Sequence, residues 1–265
     1  MAFIMITGAA DGMGAAVAEA ALTKGHTLLL CDINKEALEA RWDGKPDVQT
    51  QVLDVRDVSQ WQKVCEGLKA EQRIPDVLIN IAGILRSGAV GELKPEDVDL
   101  QFDVNVKGLI WGTNTLGALM AERGSGHIIN FGSIAALYAT PGASVYAASK
   151  FAVRAFSIAA AGDLAPRGVA VSMIGPGPVK TAMLERERGN KDAALIFSRN
   201  RALEAEEVAA AVLGPIMKKR PLEYYLPKKE GWLGRLALIF PSLLLKQVES
   251  LRKKGLNNFD SKAFK

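Results

Sequence analysis

Short apolar runs and helical stripes alternate along most of this chain. Residues 3–6, Phe-Ile-Met-Ile, form a continuous apolar run, the signature of a strand buried on both faces. Further strands are predicted at 27–31, 50–53, 77–79, 128–131, 169–174 and 222–226. Between them the period is helical: 15–23 closed by Gly25, 34–42, about 58–71, and 95–123 opening on Pro95. A helix that carries Tyr146 ends near 165–166, and 204–218 is an amphipathic stretch. Residues 84–94 read as a loop, and 183–201 as a charged segment, helical in pieces, placed to cover a site as a lid. Strand and helix alternate throughout, which predicts an α/β fold: a parallel sheet with helices on both faces. No shorter repeat is present.

The last part of the chain breaks this rhythm. Residues 232–246 are strongly apolar, interrupted by Pro241 and flanked by basic residues. From Lys228 onward the chain has nine Lys or Arg and three acids, a net charge of +6, so residues 1–227 carry −2 of the whole-chain +4. The basic character belongs to the tail, which argues against a nucleic-acid-binding body. Two domains of unequal size are expected: a nucleotide-binding and catalytic body over 1–227 and a basic apolar extension over 228–265. The extension is too short to span a bilayer, since no apolar run reaches the ~18–20 residues required. It could lie in a membrane interface with its basic groups drawn to anionic lipid, or it could be a C-terminal helix packed on the body or on a second subunit.

Composition narrows the class further. A chain of 265 residues, 49% hydrophobic and 23% charged, suits one α/β body with a sizeable core. Cys31 and Cys65 lie far apart inside periodic segments, which predicts buried thiols in a reducing compartment. No cluster has metal-ligand spacing, so no metal is expected. Residues 1–6 run straight into a glycine loop without a basic region or small-residue cleavage site, so a cytoplasmic location without a secretory leader is expected, with the tail a candidate for peripheral membrane contact.

Candidate chemistry sits at the ends of the predicted strands. Thr7-Gly8-Ala9-Ala10-Asp11-Gly12-Met13-Gly14 lies between a strand and a helix, where glycines let backbone approach a pyrophosphate held at the helix N-terminus. Asp32 ends the next strand, eighteen positions after Gly14, where an acid can accept from the adenosine ribose and repel a 2′-phosphate; its other reading is the N-cap of the 34–42 helix. No Arg or Lys stands in the glycine loop, which favours NAD, and Lys35 lies close enough to keep NADP open. Asp54 could reach an adenine or cap the helix near 58, and Asn80-Ile81-Ala82-Gly83 is a small-residue loop at another strand end. Asn105, inside the 95–123 helix, is either a buried, satisfied side chain or the centre of a local opening that exposes a carbonyl or holds a water. Ser133 closes the strand at 128–131, thirteen positions before Tyr146, and Lys150 follows Tyr146 by four, on the same helix face. An ammonium there would lower the phenol's pKa and make a proton-transfer group, while the serine holds the reacting oxygen. Pro176 and Pro178 fix a turn after 169–174, from which Thr181 could contact a nicotinamide.

These motifs, in this order, resemble those of the short-chain dehydrogenase/reductase family in its single-domain type, over roughly residues 2–226. The matching pieces are Thr7-Gly8-x-x-x-Gly12-x-Gly14, Asp32, Asp54, Asn80-Ile81-Ala82-Gly83, Asn105, Ser133, Tyr146-x-x-x-Lys150 and Pro176-Gly177-x-Val179-x-Thr181. The resemblance implies a Rossmann-type, doubly wound, seven-stranded parallel sheet ordered 3-2-1-4-5-6-7, and reversible oxidation of an alcohol with a nicotinamide cofactor. It implies that Tyr146 is the general acid/base, Lys150 holds the nicotinamide ribose and lowers the tyrosine pKa, Ser133 binds the substrate oxygen, and Asn105 supports a proton-relay water. Asp32 would take the ribose and Asp54 the adenine, with Val179 and Thr181 at the carboxamide. Gly8, Gly12, Met13, Gly14, Val55, Asn80, Ala82, Gly83, Pro176 and Gly177 complete the expected cofactor contacts. Dimers or tetramers through the helices bearing Asn105 and Tyr146 are also implied. Ile81 stands where the family commonly has Asn, Pro178 is an extra proline, and the tail after about residue 228 has no counterpart in the shared core, resembling instead the C-termini of members that handle lipid-like substrates.

The residues expected to face a substrate, besides Ser133 and Tyr146, are Leu85, Ala135, Leu137, Pro141, Met183 and Leu184. They are mostly apolar, with no obvious cationic anchor, which points to an apolar secondary alcohol or ketone such as a steroid, retinoid or long-chain compound. The alternative is a non-catalytic nucleotide sensor or scaffold on the same fold. Such proteins usually lose a catalytic residue, whereas Asn105, Ser133, Tyr146 and Lys150 are all present.

Overall fold

The computed structural model describes residues 1–264; Lys265, the last basic residue of the tail, lies outside the described residues, as does the side chain of Leu244. Seven strands, β1 (Phe3–Thr7), β2 (Thr27–Asp32), β3 (Val48–Val52), β4 (Val77–Asn80), β5 (Gly126–Phe131), β6 (Val169–Pro176) and β7 (Glu223–Leu226), form one sheet. Their order is β3-β2-β1-β4-β5-β6-β7, and every pairing is parallel. The helices between them are α1 (Gly12–Thr23), α2 (Lys35–Trp42), α3 (Val58–Ala70), α4 (Pro95–Phe102), α5 (Leu109–Arg123), α6 (Ser144–Leu164), α7 (Ala182–Arg186), α8 (Ala205–Ala211) and α9 (Met217–Lys219).

Strand alternation divides the core in two. Along β1, Ile4 and Ile6 join the cluster beneath α1 and α8, whereas Phe3 and Met5 join the cluster beneath α3 and α5. This is the parallel sheet covered on both faces that the alternation of elements predicts, in the doubly wound, Rossmann-type order that the family resemblance implies. The strand expected at 50–53 starts two residues earlier and is an exposed edge; the burial of Leu53 belongs to the turn after it. The expected 95–123 helix is continuous in direction but widens into a π-turn over Asp103–Gly108, around Asn105. The 204–218 helix widens likewise at Val212–Ile216, where Pro215 has no N–H for the helical ladder. Cys31 and Cys65 are buried free thiols.

The tail folds back on the body as α10 (Lys228–Ile239), α11 (Pro241–Leu245) and α12 (Val248–Asn258). Its end is tied to a 3-10 segment, Lys191–Ser198: the Asn258 Nδ2 donates to the carbonyls of Phe197 at 2.9 Å and Arg199 at 3.2 Å. Phe264, 2% exposed, packs on Phe197 with ring centres 5.3 Å apart. The extension therefore shares a core with the segment expected to act as a lid. Among the described residues no helix is long and apolar enough to cross a membrane.

Candidate active site

The sheet's C-terminal edge carries two adjoining cavities. The first, of about 750 Å³, is lined by Gly8, Gly12, Met13, Gly14, Asp32, Ala82, Gly83 and Thr181, among others. Gly8 (φ 71°) and Gly12 (φ 55°) adopt left-handed backbone. Gly14 meets a different constraint: an added Cβ would lie 1.9 Å from the Gly8 carbonyl oxygen. Thr7 Oγ1 accepts from the backbone N–H groups of Ile81 at 3.2 Å and Ala82 at 3.3 Å, fixing the loop after β4 beside the glycine turn. The Asp32 carboxylate accepts from Ala10 N and Asn34 N, both at 3.0 Å. Asp32 is thus not the cap of α2; Asn34 is, through Ala37 N at 3.0 Å. Bare backbone at a helix N-terminus, with a carboxylate at the far end, fits a dinucleotide.

Three expected cofactor residues line neither cavity. Asp54 is engaged by Arg56, whose Nη2 lies 2.6 Å from Oδ2; this contact holds its carboxyl below the usual range, and Asp57 rather than Asp54 caps α3. Val55 is buried, its carbonyl accepting from the Trp61 indole at 2.9 Å. Asn80 is a core strut, donating to Asn130 Oδ1 at 2.9 Å and Thr113 Oγ1 at 3.2 Å. Arg41 and Arg186 line the cleft although neither stands near the glycine motif in sequence. Arg41 is paired with Glu19 at 3.0 Å, while Lys35 turns toward Glu39 at 3.8 Å.

The second cavity, of about 680 Å³, holds Ser133, Tyr146 and Lys150 together with Pro176, Gly177, Val179 and Thr181. Met13, Gly83, Leu85, Thr181 and Met183 line both cavities, so the two meet beside this group. Lys150 is 5% exposed; its Nζ donates to the Phe131 carbonyl at 2.9 Å and lies 5.7 Å from the centre of the Tyr146 ring. Burial pushes the Lys150 ammonium down to about 8. Burial also pushes the Tyr146 phenol above its ordinary value, partly offset by its hydrogen bond with Ser133. In the protein alone, burial therefore outweighs the lowering expected from Lys150. Asn105 lines neither cavity. It is 1% exposed: Oδ1 accepts from Ile84 N at 2.8 Å, and Nδ2 donates to Ile84 O at 2.9 Å and Ser149 Oγ at 3.1 Å. Ser149 Oγ in turn donates to the Tyr146 carbonyl at 2.7 Å. Asn105 is thus the buried, satisfied side chain of the first reading, and it sits in a helical turn that is widened around it.

Of the expected substrate residues, Leu85, Ala135, Met183 and Leu184 line the cavity. Leu137 and Pro141 do not: Leu137 is fully buried in a small cluster with Ile134, Met173 and Tyr225. Their places are taken by the tail, through Leu233, Leu236, Phe240, Leu243 and Leu251. The cavity also has a cation that the sequence did not reveal. Arg199 hydrogen-bonds to the Tyr138 hydroxyl and lies 3.7 Å from Glu230, and all three side chains line the cavity. They come from three segments with no common motif, and no local pattern marks them.

A sequence profile described as short chain dehydrogenase matches residues 2–192. The 3-oxoacyl-acyl-carrier-protein reductase FabG of Thermotoga maritima is 34% identical over 215 residues, covering 79% of this chain and 87% of that protein. A cyclopentanol dehydrogenase of a Comamonas strain is 33% identical over 223 residues, covering 82% of each. Among solved structures, a short-chain dehydrogenase from Streptomyces avermitilis superposes with a TM-score of 0.78 at 27% identity, covering 94% of this chain and 96% of that one. The closed form of a serine dehydrogenase complexed with NADP+ gives 0.76 at 29% identity, covering 84% and 94%. A matching profile over most of the body, relatives aligned along about four-fifths of the chain and a Ser-Tyr-Lys group at the junction of two cavities converge: the chain belongs to the short-chain dehydrogenase family of oxidoreductases.

Proposed function

We propose that this protein transfers a hydride between NAD(H) and an apolar secondary alcohol or ketone. The observation that carries the reading is the meeting of a dinucleotide-shaped cleft and a largely aliphatic cavity beside Ser133, Tyr146 and Lys150. A bound nicotinamide dinucleotide would supply the hydride acceptor in oxidation and the donor in reduction. In oxidation the phenolate form of Tyr146 takes the hydroxyl proton of the alcohol as its carbon gives up hydride; in reduction the neutral phenol returns that proton to the carbonyl oxygen. Ser133 Oγ donates a hydrogen bond to the reacting oxygen, which gains charge as the carbonyl is reduced. Lys150 would hold the ribose of a bound nicotinamide dinucleotide, and Asn105, clamping Ile84, keeps the wall of the junction in place. Preference for NAD rests on the Asp32 carboxylate at the adenosine end and on Arg41 being paired with Glu19.

A panel of secondary alcohols and ketones, followed by nicotinamide absorbance with NAD and with NADP, tests this directly. Turnover of apolar substrates with NAD is expected. Activity confined to small polar sugars would overturn the substrate class, and a preference for NADP would overturn the role given to Asp32.

A further inference from the structure

The tail helix α10 is packed inside out. Globular helices bury their large apolar side chains and expose small or polar ones. Here the residues that face the body are Gly231 and Gly234, and they leave no room for anything larger. A Cβ at Gly231 would lie 2.4 Å from Tyr225 Cβ, and one at Gly234 would lie 2.9 Å from Leu137 Cβ. The large side chains point away: Trp232 is 67% exposed and Ile239 67%, with Leu233, Leu236 and Leu238 beside them, and Leu243 and Leu245 of α11 continue the surface. The glycine contacts fix this orientation, so the apolar face cannot roll inward without displacing the helix. An exposed apolar patch of this kind marks a surface that is covered in use.

We propose that this face docks on an anionic lipid membrane and that the active-site cavity opens toward the lipid through it. Two observations select a membrane. Lys228, Lys229 and Lys246 border the apolar face, all exposed, and neither Lys229 nor Lys246 has an ion pair among the described residues. A two-fold contact between two copies would set these like charges against each other, whereas an anionic surface attracts them. The second observation is continuity with the cavity. Leu233, Leu236, Phe240 and Leu243 line the cavity and are also exposed, so they form its rim, while Trp232, Leu238, Ile239 and Leu245 lie outside it. An apolar alcohol dissolved in the membrane would reach Tyr146 across a surface that stays apolar from lipid to site. This delivery role rests on the apolar-substrate reading above; the docking does not.

The test uses the full chain with phosphatidylcholine vesicles, with and without phosphatidylserine. Binding is read by co-sedimentation and by indole fluorescence, to which Trp232 is the most exposed contributor, Trp42 and Trp61 being buried. Binding to the anionic vesicles is expected to be at least about tenfold tighter than to the neutral ones and to weaken with salt. The double variant Trp232→Glu/Ile239→Glu, outside the cavity, should lose about tenfold or more of that binding, yet turn over a water-soluble alcohol as the parent does. With a long-chain 2-alkanol dissolved in the anionic vesicles, the parent should outpace the variant several-fold. Equal sedimentation of parent and variant overturns the docking, as does a parent dimer that the double variant dissociates to monomers. Because sedimentation needs no substrate, an inactive panel would defeat the functional reading and leave docking standing. Absent sedimentation would do the reverse.

Discussion

Tyr146 and Lys150 lie one helical turn apart, and their protonation is set by burial more than by each other. Replacing Tyr146 with Phe should lower kcat by about 10²–10⁴-fold, while NAD affinity, read by fluorescence titration, stays close to that of the parent. If turnover survives this change, Tyr146 is not the acid/base. Because burial raises the Tyr146 phenol, the free protein carries it neutral at pH 7, the form needed to protonate a ketone oxygen. Alcohol oxidation should therefore rise as pH increases into the alkaline range and ketone reduction should fall, a contrast that opposed pH–rate profiles would display. Lys150 gives a stability signature. Its folded value of about 8 lies below the ordinary 10.5, so the unfolded chain binds more protons between those values and the native state gains stability as pH rises through them. Urea unfolding of the parent against Lys150→Met should show that difference growing by about 3 kcal/mol from pH 8 to 10.5; a flat difference would mean the lysine is not desolvated. Both residues were legible in the sequence from their spacing together with the motifs around them. Their pKa directions were not, since desolvation depends on neighbours that a helical offset does not reveal.

Elements carry the next level of control. The glycine turn works because Gly14 can lie against the Gly8 carbonyl, 1.9 Å from where a Cβ would stand. Gly14→Ala should reshape the turn and weaken NAD binding by more than about tenfold, measured by calorimetry, with the thermal transition only modestly lowered. Asn105 acts between elements: its side chain satisfies both backbone groups of Ile84 and so joins the π-turn to the loop after β4. Asn105→Ala leaves those groups unsatisfied and should cost about 1–3 kcal/mol in urea unfolding, with kcat reduced more than NAD affinity. An unfavourable Asn in a helical stretch was a sequence signal of local opening, and the widened turn lies there. Asp54, Val55 and Asn80 show the limit of the same reasoning. Their places at strand ends are as expected, but side chains at strand ends point to one face or the other, and theirs turn to Arg56, Gly108 and the Asn130 network.

At the scale of the whole molecule, the tail completes the cavity rather than trailing from it. Gly234→Val should lift α10 from Leu137 and raise KM for an apolar alcohol by about tenfold or more, while NAD affinity is unchanged; an unaltered KM would show that α10 does not bound the substrate. By itself the sequence determined the order of strands and helices, the glycine turn, Asp32 at the end of β2, and the Ser133, Tyr146 and Lys150 group, because periodicity and short spacings are local and survive in one dimension. Only the tertiary structure decided what surrounds them. It placed Tyr138, Arg199 and Glu230 together, took Leu137 and Pro141 out of the cavity, and turned the glycine face of α10 inward. Each of these joins segments far apart in the chain, and their packing depends on volumes and directions that no local pattern records.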